Sequence, residues 1–219
     1  MLRHIILPAA ALFAAAAAPA PAADPVLAKL IEGARTTPPL PYERSSETLS
    51  GGKRQVVVDR YSPTAQPQFA LVSIDGKPPT AEEAEQFGKR ARNSRPAGYY
   101  RIAELLAAGA ERVQPNLYRV TKLPPDFLRG QMASMSEHVI ADVRVGGTPD
   151  RPYVTEYRLY APKPVRVRIV AKIDSFEAVT RYALGSDGRP RLREQTISIR
   201  GEAMGSSLNT DSTTRYRDL

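Results

Sequence analysis

The residues best suited to covalent chemistry lie between Ser134 and His138. His138 stands beside Glu137 at the start of an alternating strand pattern, and it is the only histidine after His4. One imidazole by itself makes neither a metal cluster nor a triad. Ser134 or Ser136 with His138 is a conceivable nucleophile–base pairing, and no strand–turn–helix serine elbow accompanies it. Ser50-Gly51-Gly52-Lys53 has the serine–lysine spacing of some acylases, but its glycine pair between two strand-like runs reads as a hairpin turn. Glu82 and Glu83 fall on a predicted exposed helix, where carboxylates are solvated. The sequence contains no phosphate-cradling glycine loop, dinucleotide fingerprint or calcium loop. With no cysteine, disulfides, thiolate metal sites, cysteine nucleophiles and lipobox acylation are excluded. The expectation is a chain that is not an enzyme and binds no cofactor or metal.

What remains is surface for non-covalent binding. Among the ten tyrosines, Tyr153, Tyr157 and Tyr182 sit on strand faces beside aliphatic residues. They suit either strand packing or the lining of an apolar cavity. Met132 and Met135 are suited to core filling or to an adaptable cover, because thioethers repack easily. The formal net charge is +8, which can attract nucleic acid, an anionic membrane or an acidic protein. The basic residues are spread along strands rather than gathered in a run. The absence of tryptophan and the five phenylalanines argue against a stacking platform for single strands, so nucleic acid is not an expected partner.

Positioning these residues is mainly the work of strands. Val139, Ala141, Val143 and Val145 alternate with His138, Asp142 and Arg144. Val165, Val167, Ile169, Ala171 and Ile173 alternate with Arg166, Arg168 and Lys172. Phe176, Ala178, Thr180, Tyr182 and Leu184 share a face opposite Glu177 and Arg181, and strands through Ile197–Ile199 and Leu208–Tyr216 follow. A period of two marks a sheet with one buried face. Three earlier strands are expected at 42–49, 55–61 and 69–74, the last ending at the turn-forming pair Asp75-Gly76. A further strand is expected at 117–123, for about nine in all.

Helices are fewer. Asp24 and Pro25 supply an N-cap and a first-turn proline ahead of Val26, Leu27, Leu30, Ile31 and Ala34 at helical spacing. A helical insert is predicted over about 80–109. Thr80 and Glu83 form a capping box ahead of a thin stripe of Ala84, Phe87 and Ala91, and a more apolar helix follows through Ile102, Leu105 and Leu106. Before all of this, Met1-Leu2-Arg3-His4 gives a basic start, residues 5–18 an apolar run shorter than a bilayer span, and Ala20-Pro21-Ala22 small residues. This is the pattern of a secretory signal peptide cleaved near Ala22 or Ala23. The expected organisation is a signal at 1–23, one domain at 24–219 and a periplasmic location.

The leader, the short amphipathic helix, the early strands, the helical insert and the long terminal meander together resemble the LolA/LolB-like lipoprotein-carrier superfamily. The stretch Gly201-Glu202-Ala203-Met204-Gly205 and the final Ser212–Asp218 strand, with its Thr-Thr-x-Tyr-x-Asp, are similar to that family's ending. The resemblance implies an α+β fold, a strongly curved antiparallel sheet forming a half-open β-barrel with helices covering the concave face. It also implies a carrier or sensor of an amphiphile, lipid or lipoprotein acyl chain. On the sequence pattern, the expected cavity lining is Val57, Leu71, Val143, Tyr157, Leu159, Val167 and Ile169, and the expected helical lid is Phe87, Leu105, Leu106 and Met132. The alternative is an envelope interaction module with a filled core, docking an acidic envelope protein or anionic membrane through Arg158, Arg166, Arg168 and Lys172.

Overall fold

The computed structural model describes residues 24–92, 94–125, 127–128, 130–167 and 171–219. The predicted signal peptide and two predicted site residues, Arg168 and Ile169, lie outside these. Over the described residues the fold is α+β: eleven strands in one antiparallel sheet that does not close, with four short helices.

Helix α1 (Pro25–Arg35) begins where the sequence says it should. Asp24 accepts from the backbone N–H groups of Val26 and Leu27, and the proline at the first position has no N–H to leave unpaired. Strands β1 (Tyr42–Ser50), β2 (Lys53–Tyr61) and β3 (Phe69–Ile74) form the expected meander. Helix α2 (Ala81–Ala91) carries the capping box, with Thr80 and Glu83 satisfying each other's backbone N–H groups. Helix α3 (Arg101–Leu106) follows, with Ile102, Ala103, Leu105 and Leu106 buried. Then come β4 (Glu111–Gln114), β5 (Leu117–Val120), a 3-10 helix (Gly130–His138), β6 (Ile140–Gly147), β7 (Pro152–Tyr160), β8 (Val165–Val167), β9 (Ala171–Leu184), β10 (Pro190–Ala203) and β11 (Ser206–Asp218).

The sheet order is β3-β2-β1-β11-β10-β9-β7-β6-β5-β4, with β8 paired to β9. The β1–β11 seam joins the two ends of the chain, with Tyr42 opposite Asp218 and Ser50 opposite Thr210. One core is built where α1 and α3 pack on the face of β5, β6, β7 and β9 that carries Tyr118, Val143, Val154, Tyr157, Leu159, Phe176 and Tyr182. A second, smaller cluster joins Tyr42, Tyr61, Phe69 and Tyr216, with Phe87, Ala91 and Ala97 against it.

Three sequence expectations change. The run Val165–Ile173 is not one strand. Val165 pairs with Ile173 and Val167 with Ala171, so the chain reverses between β8 and β9. Strand β9 then runs through both predicted segments. An irregularity at the Arg200/Gly201 level shifts the register, so Ile173 and Phe176 both face the core although three positions apart. Gly201 is needed there, since a Cβ on it would lie 2.2 Å from the Lys172 carbonyl oxygen. His138 ends the 3-10 helix instead of starting a strand.

Candidate functional site

Residues directly opposite one another in a sheet point to the same side, so the register tells which side chains share a surface. One row runs Val57–Ser46–Thr214–Gln195–Thr180–Tyr157–Val143–Tyr118 across eight strands. The next runs Gln55–Thr48–Ser212–Ile197–Ala178–Leu159–Ala141–Val120, and a third runs Lys53–Ser50–Thr210–Ile199–Phe176. In each row the β9–β5 end is packed core. The β2–β10 end is half-buried or exposed.

The predicted lining therefore divides. Val143, Tyr157 and Leu159 are buried among α1, α3 and Phe127 as part of a filled core. Val57 and Leu71 are half-buried on the open part of the same face, and Val167 is half-buried at the end of β8. The predicted lid divides too. Leu105 and Leu106 are fully enclosed, and Met132 packs on the same core. Phe87 belongs to the tyrosine cluster on β1–β3 and β11. Sequence reasoning missed Ile197, Ile199 and Leu208 as lining of the open part, where they are half-buried against the core.

It also missed the middle of that surface. Along the β1–β11 seam, hydroxyl pairs Ser46–Thr214, Thr48–Ser212 and Ser50–Thr210 meet at 3.0, 3.1 and 3.0 Å. Each pair shares one proton and leaves further donor and acceptor capacity. The open face is thus a polar seam between apolar flanks. The signal was present: Ser-x-Thr-x-Ser at 46–50 and Thr-x-Ser-x-Thr at 210–214 alternate with period two.

The seam ends at a buried ion pair. The Nε of Arg44 donates to Asp59 Oδ2 at 2.7 Å, and Asp59 is 2% exposed. Its other oxygen, Oδ1, has no hydrogen-bond partner. Burial pushes the Asp59 carboxyl up, against the pull of Arg44. Beyond the pair stand Tyr42, Tyr61 and Tyr216, with ring centroids 5.4 Å apart for Tyr42–Tyr61 and 5.3 Å for Tyr42–Tyr216. Burial pushes Tyr216 up to about 12.

On the opposite face, charges pair across strands. Arg144, Glu156, Arg181, Glu194 and Arg215 form one unbroken row over β6, β7, β9, β10 and β11, with contacts of 3.6, 3.0, 2.9 and 3.5 Å. Of the predicted docking cations, Arg158 makes two bonds to Glu177, at 2.9 and 3.0 Å, and lies over the Tyr160 ring. Lys172 pairs with Asp174 at 2.6 Å, and Arg166 stands opposite Lys172.

The candidate chemical groups are not assembled. Ser136 Oγ is buried with no hydrogen-bond partner, while Ser134 and His138 are exposed. Ser50 and Lys53 flank the turn of Gly51 (φ 55) and Gly52 (φ 77), as expected for a hairpin. Among the described residues no group of three or more histidine, aspartate or glutamate side chains is placed to hold a metal, and no helix is long and apolar enough to cross a membrane. Two shallow clefts of about 520 Å3 each lie beside α1, and no predicted lining residue borders either. The chain matches no family model, no curated protein and no solved structure.

Proposed function

We propose that this is a secreted, non-enzymatic periplasmic protein that binds an amphiphile on the uncovered part of its sheet. In this reading the sheet curls into a half-open barrel, and α1 and α3 fill one end of its concave face. The remainder is a trough, flanked by Val57 and Leu71 on one side and Ile197, Ile199 and Leu208 on the other. One observation carries the reading: on the core-bearing face Val57, Ile197, Ile199 and Leu208 are left half-buried while their row-mates Tyr157, Ala178, Phe176 and Ile173 are enclosed. Apolar area kept in contact with water is worth about 25 cal/mol per Å2 to whatever covers it. The resemblance to lipoprotein carriers supports the same class of cargo, an acyl chain, lipid or lipoprotein. The hydroxyl seam adds that the cargo carries hydrogen-bonding groups along its length and is not a bare hydrocarbon.

Mass spectrometry of small molecules extracted from protein purified without detergent tests the proposal. Stoichiometric lipid or fatty acid is the expected result. Ile197→Asp with Ile199→Asp, both at half-buried positions, should keep the fold and lose binding of a fluorescent acyl probe. An empty extract, with no probe binding by the wild type, would sink the cargo reading. It would leave the interaction module, which the filled core beneath α1 and α3 favours. Partner binding would then weaken with moderate salt if Arg166 and Lys172 carry it, since exposed charges are screened beyond about 10 Å at 0.1 M.

A further inference from the structure

The β10–β11 hairpin projects past β1 and β2 on one side, while on the other β9 and β8 stay level with it as far as Ala203, opposite Ala171 and Val167. Pairing of β11 with β1 stops at Thr210 opposite Ser50, whereas pairing with β10 continues to Ala203 opposite Ser206. At ~3.4 Å per residue the levels from Asn209 to Ser206 carry the hairpin roughly 14 Å past the β1–β2 turn. Its two-residue turn is Met204 (φ 51) and Gly205 (φ 76), both in the left-handed region that this turn type demands. The comparable turns elsewhere use residues suited to that geometry, Gly51-Gly52 and Asp75-Gly76. Methionine at such a position works against local backbone preference, since its Cβ crowds the following carbonyl. Its side chain is also 83% exposed, the most exposed large apolar group among the described residues. Neither folding nor solubility accounts for that choice.

We propose that this hairpin tip inserts into the head-group region of a lipid bilayer. The geometry suits a bilayer better than a protein. A specific protein interface takes about 800 Å2 per partner, and one exposed side chain at a hairpin turn offers far less. A bilayer interface needs no matching pocket and takes apolar groups about 5–10 Å deep. The four residues Ala203-Met204-Gly205-Ser206 carry no charge, and the next row back is Arg166–Lys172–Glu202–Ser207. Two residues at ~3.4 Å each put that row roughly 7 Å behind the tip, at phosphate depth when Met204 is inserted. Arg166 has no ion pair among the described residues and is placed to meet an anionic lipid. Behind the tip, the core-bearing face continues through Leu208, Gly201 and Ile199, so a bilayer contact here opens onto the apolar flank of the sheet.

This inference goes beyond the cargo reading and is tested apart from it. The purified mature chain is sedimented with vesicles of phosphatidylethanolamine and phosphatidylglycerol. Wild type should bind, and Met204→Asn, whose new residue tolerates the left-handed turn, should bind about tenfold more weakly. Met204→Trp should show a blue-shifted emission on adding vesicles, quenched by brominated acyl chains. Acyl-probe binding without vesicles should be the same for wild type and Met204→Asn. Equal vesicle binding by wild type and Met204→Asn, or an unshifted Met204→Trp emission, overturns the proposal. Loss of probe binding in Met204→Asn also overturns it, by placing the tip in the cargo site. If vesicle binding depends on Met204 while no protein binds the probe, the tip stands and the cargo reading falls.

Discussion

Removing Arg44 while leaving Asp59 probes the most tightly constrained polar contact on the sheet. Asp59 is 2% exposed and takes its one described hydrogen bond from Arg44 Nε. Arg44→Leu keeps the inner apolar part of the side chain but leaves the carboxylate buried without a counter-charge. Breaking a buried pair in this way costs about 3–5 kcal/mol, and the 31% exposure of Arg44 argues for the lower end, about 3 kcal/mol. Removing both charges, in Arg44→Leu with Asp59→Leu, leaves no orphan and should come back to within about 1 kcal/mol of wild type. The single variant should also be pH-dependent. Its Asp59 has a folded-state pKa raised further above the unfolded value of about 3.9, so the folded state holds the proton more tightly. The defect is therefore smallest below about pH 4 and grows as pH rises through the folded pKa. Urea unfolding followed by far-UV circular dichroism at pH 4 and pH 7 measures both. A loss under about 1 kcal/mol at pH 7, unchanged at pH 4, would refute the view that Asp59 is ionised only through Arg44.

Other positions give shorter tests. Gly201→Val sets a side chain 2.2 Å from the Lys172 carbonyl oxygen and should cost about 2–3 kcal/mol, lowering the melting temperature by several degrees. Asp24→Ala removes the α1 cap and the bonds from Arg112 and Tyr118, and should cost about 2 kcal/mol. The hydrogen bond from Arg112 holds the Asp24 carboxyl well below the usual carboxylate range, despite partial burial, so its stabilisation is complete above about pH 4 and fades on acidification. The gap between Asp24→Ala and wild type should narrow accordingly in acid melts. Arg181→Ala cuts the charge row at its centre, but at an exposed position. It should cost under about 1 kcal/mol, less in high salt, and a larger loss would mean that the row acts cooperatively.

How much of this was legible in sequence depends on whether the signal was local. The caps at Asp24 and Thr80 and the turns at Gly51-Gly52 and Asp75-Gly76 are local, and they sit where the residues placed them. Strand β4 was missed because all four of its residues are exposed and charged or polar at an edge, apart from Val113, so no alternation marks it. The β8–β9 reversal was missed because the sequence between Val167 and Ala171 contains no glycine, proline, asparagine or aspartate. The division of the predicted lining between enclosed and open positions depends on which strands α1 and α3 pack against. That pairing is long-range and leaves no mark in the periodicity of a strand. Val57 and Val143 read alike in sequence, yet they stand at opposite ends of one row, one half-buried and one enclosed.

The same long-range pairing changes the meaning of the net charge. A surplus of +8 suggests a basic docking face when strands are read singly. Register places a carboxylate beside most of the arginines on that face, so Arg144, Arg158, Arg181 and Arg215 meet Glu156, Glu177 and Glu194 instead of presenting bare cations. Directly opposed unlike charges favour the observed pairing, and a one-residue slip would carry each charge to the core side of its strand. The charged face thus acts first as a register device for a sheet whose two ends join across a seam. The proposed recognition draws on what pairing leaves unsatisfied: the half-buried apolar flanks, the hydroxyls between them and the exposed methionine at the β10–β11 turn.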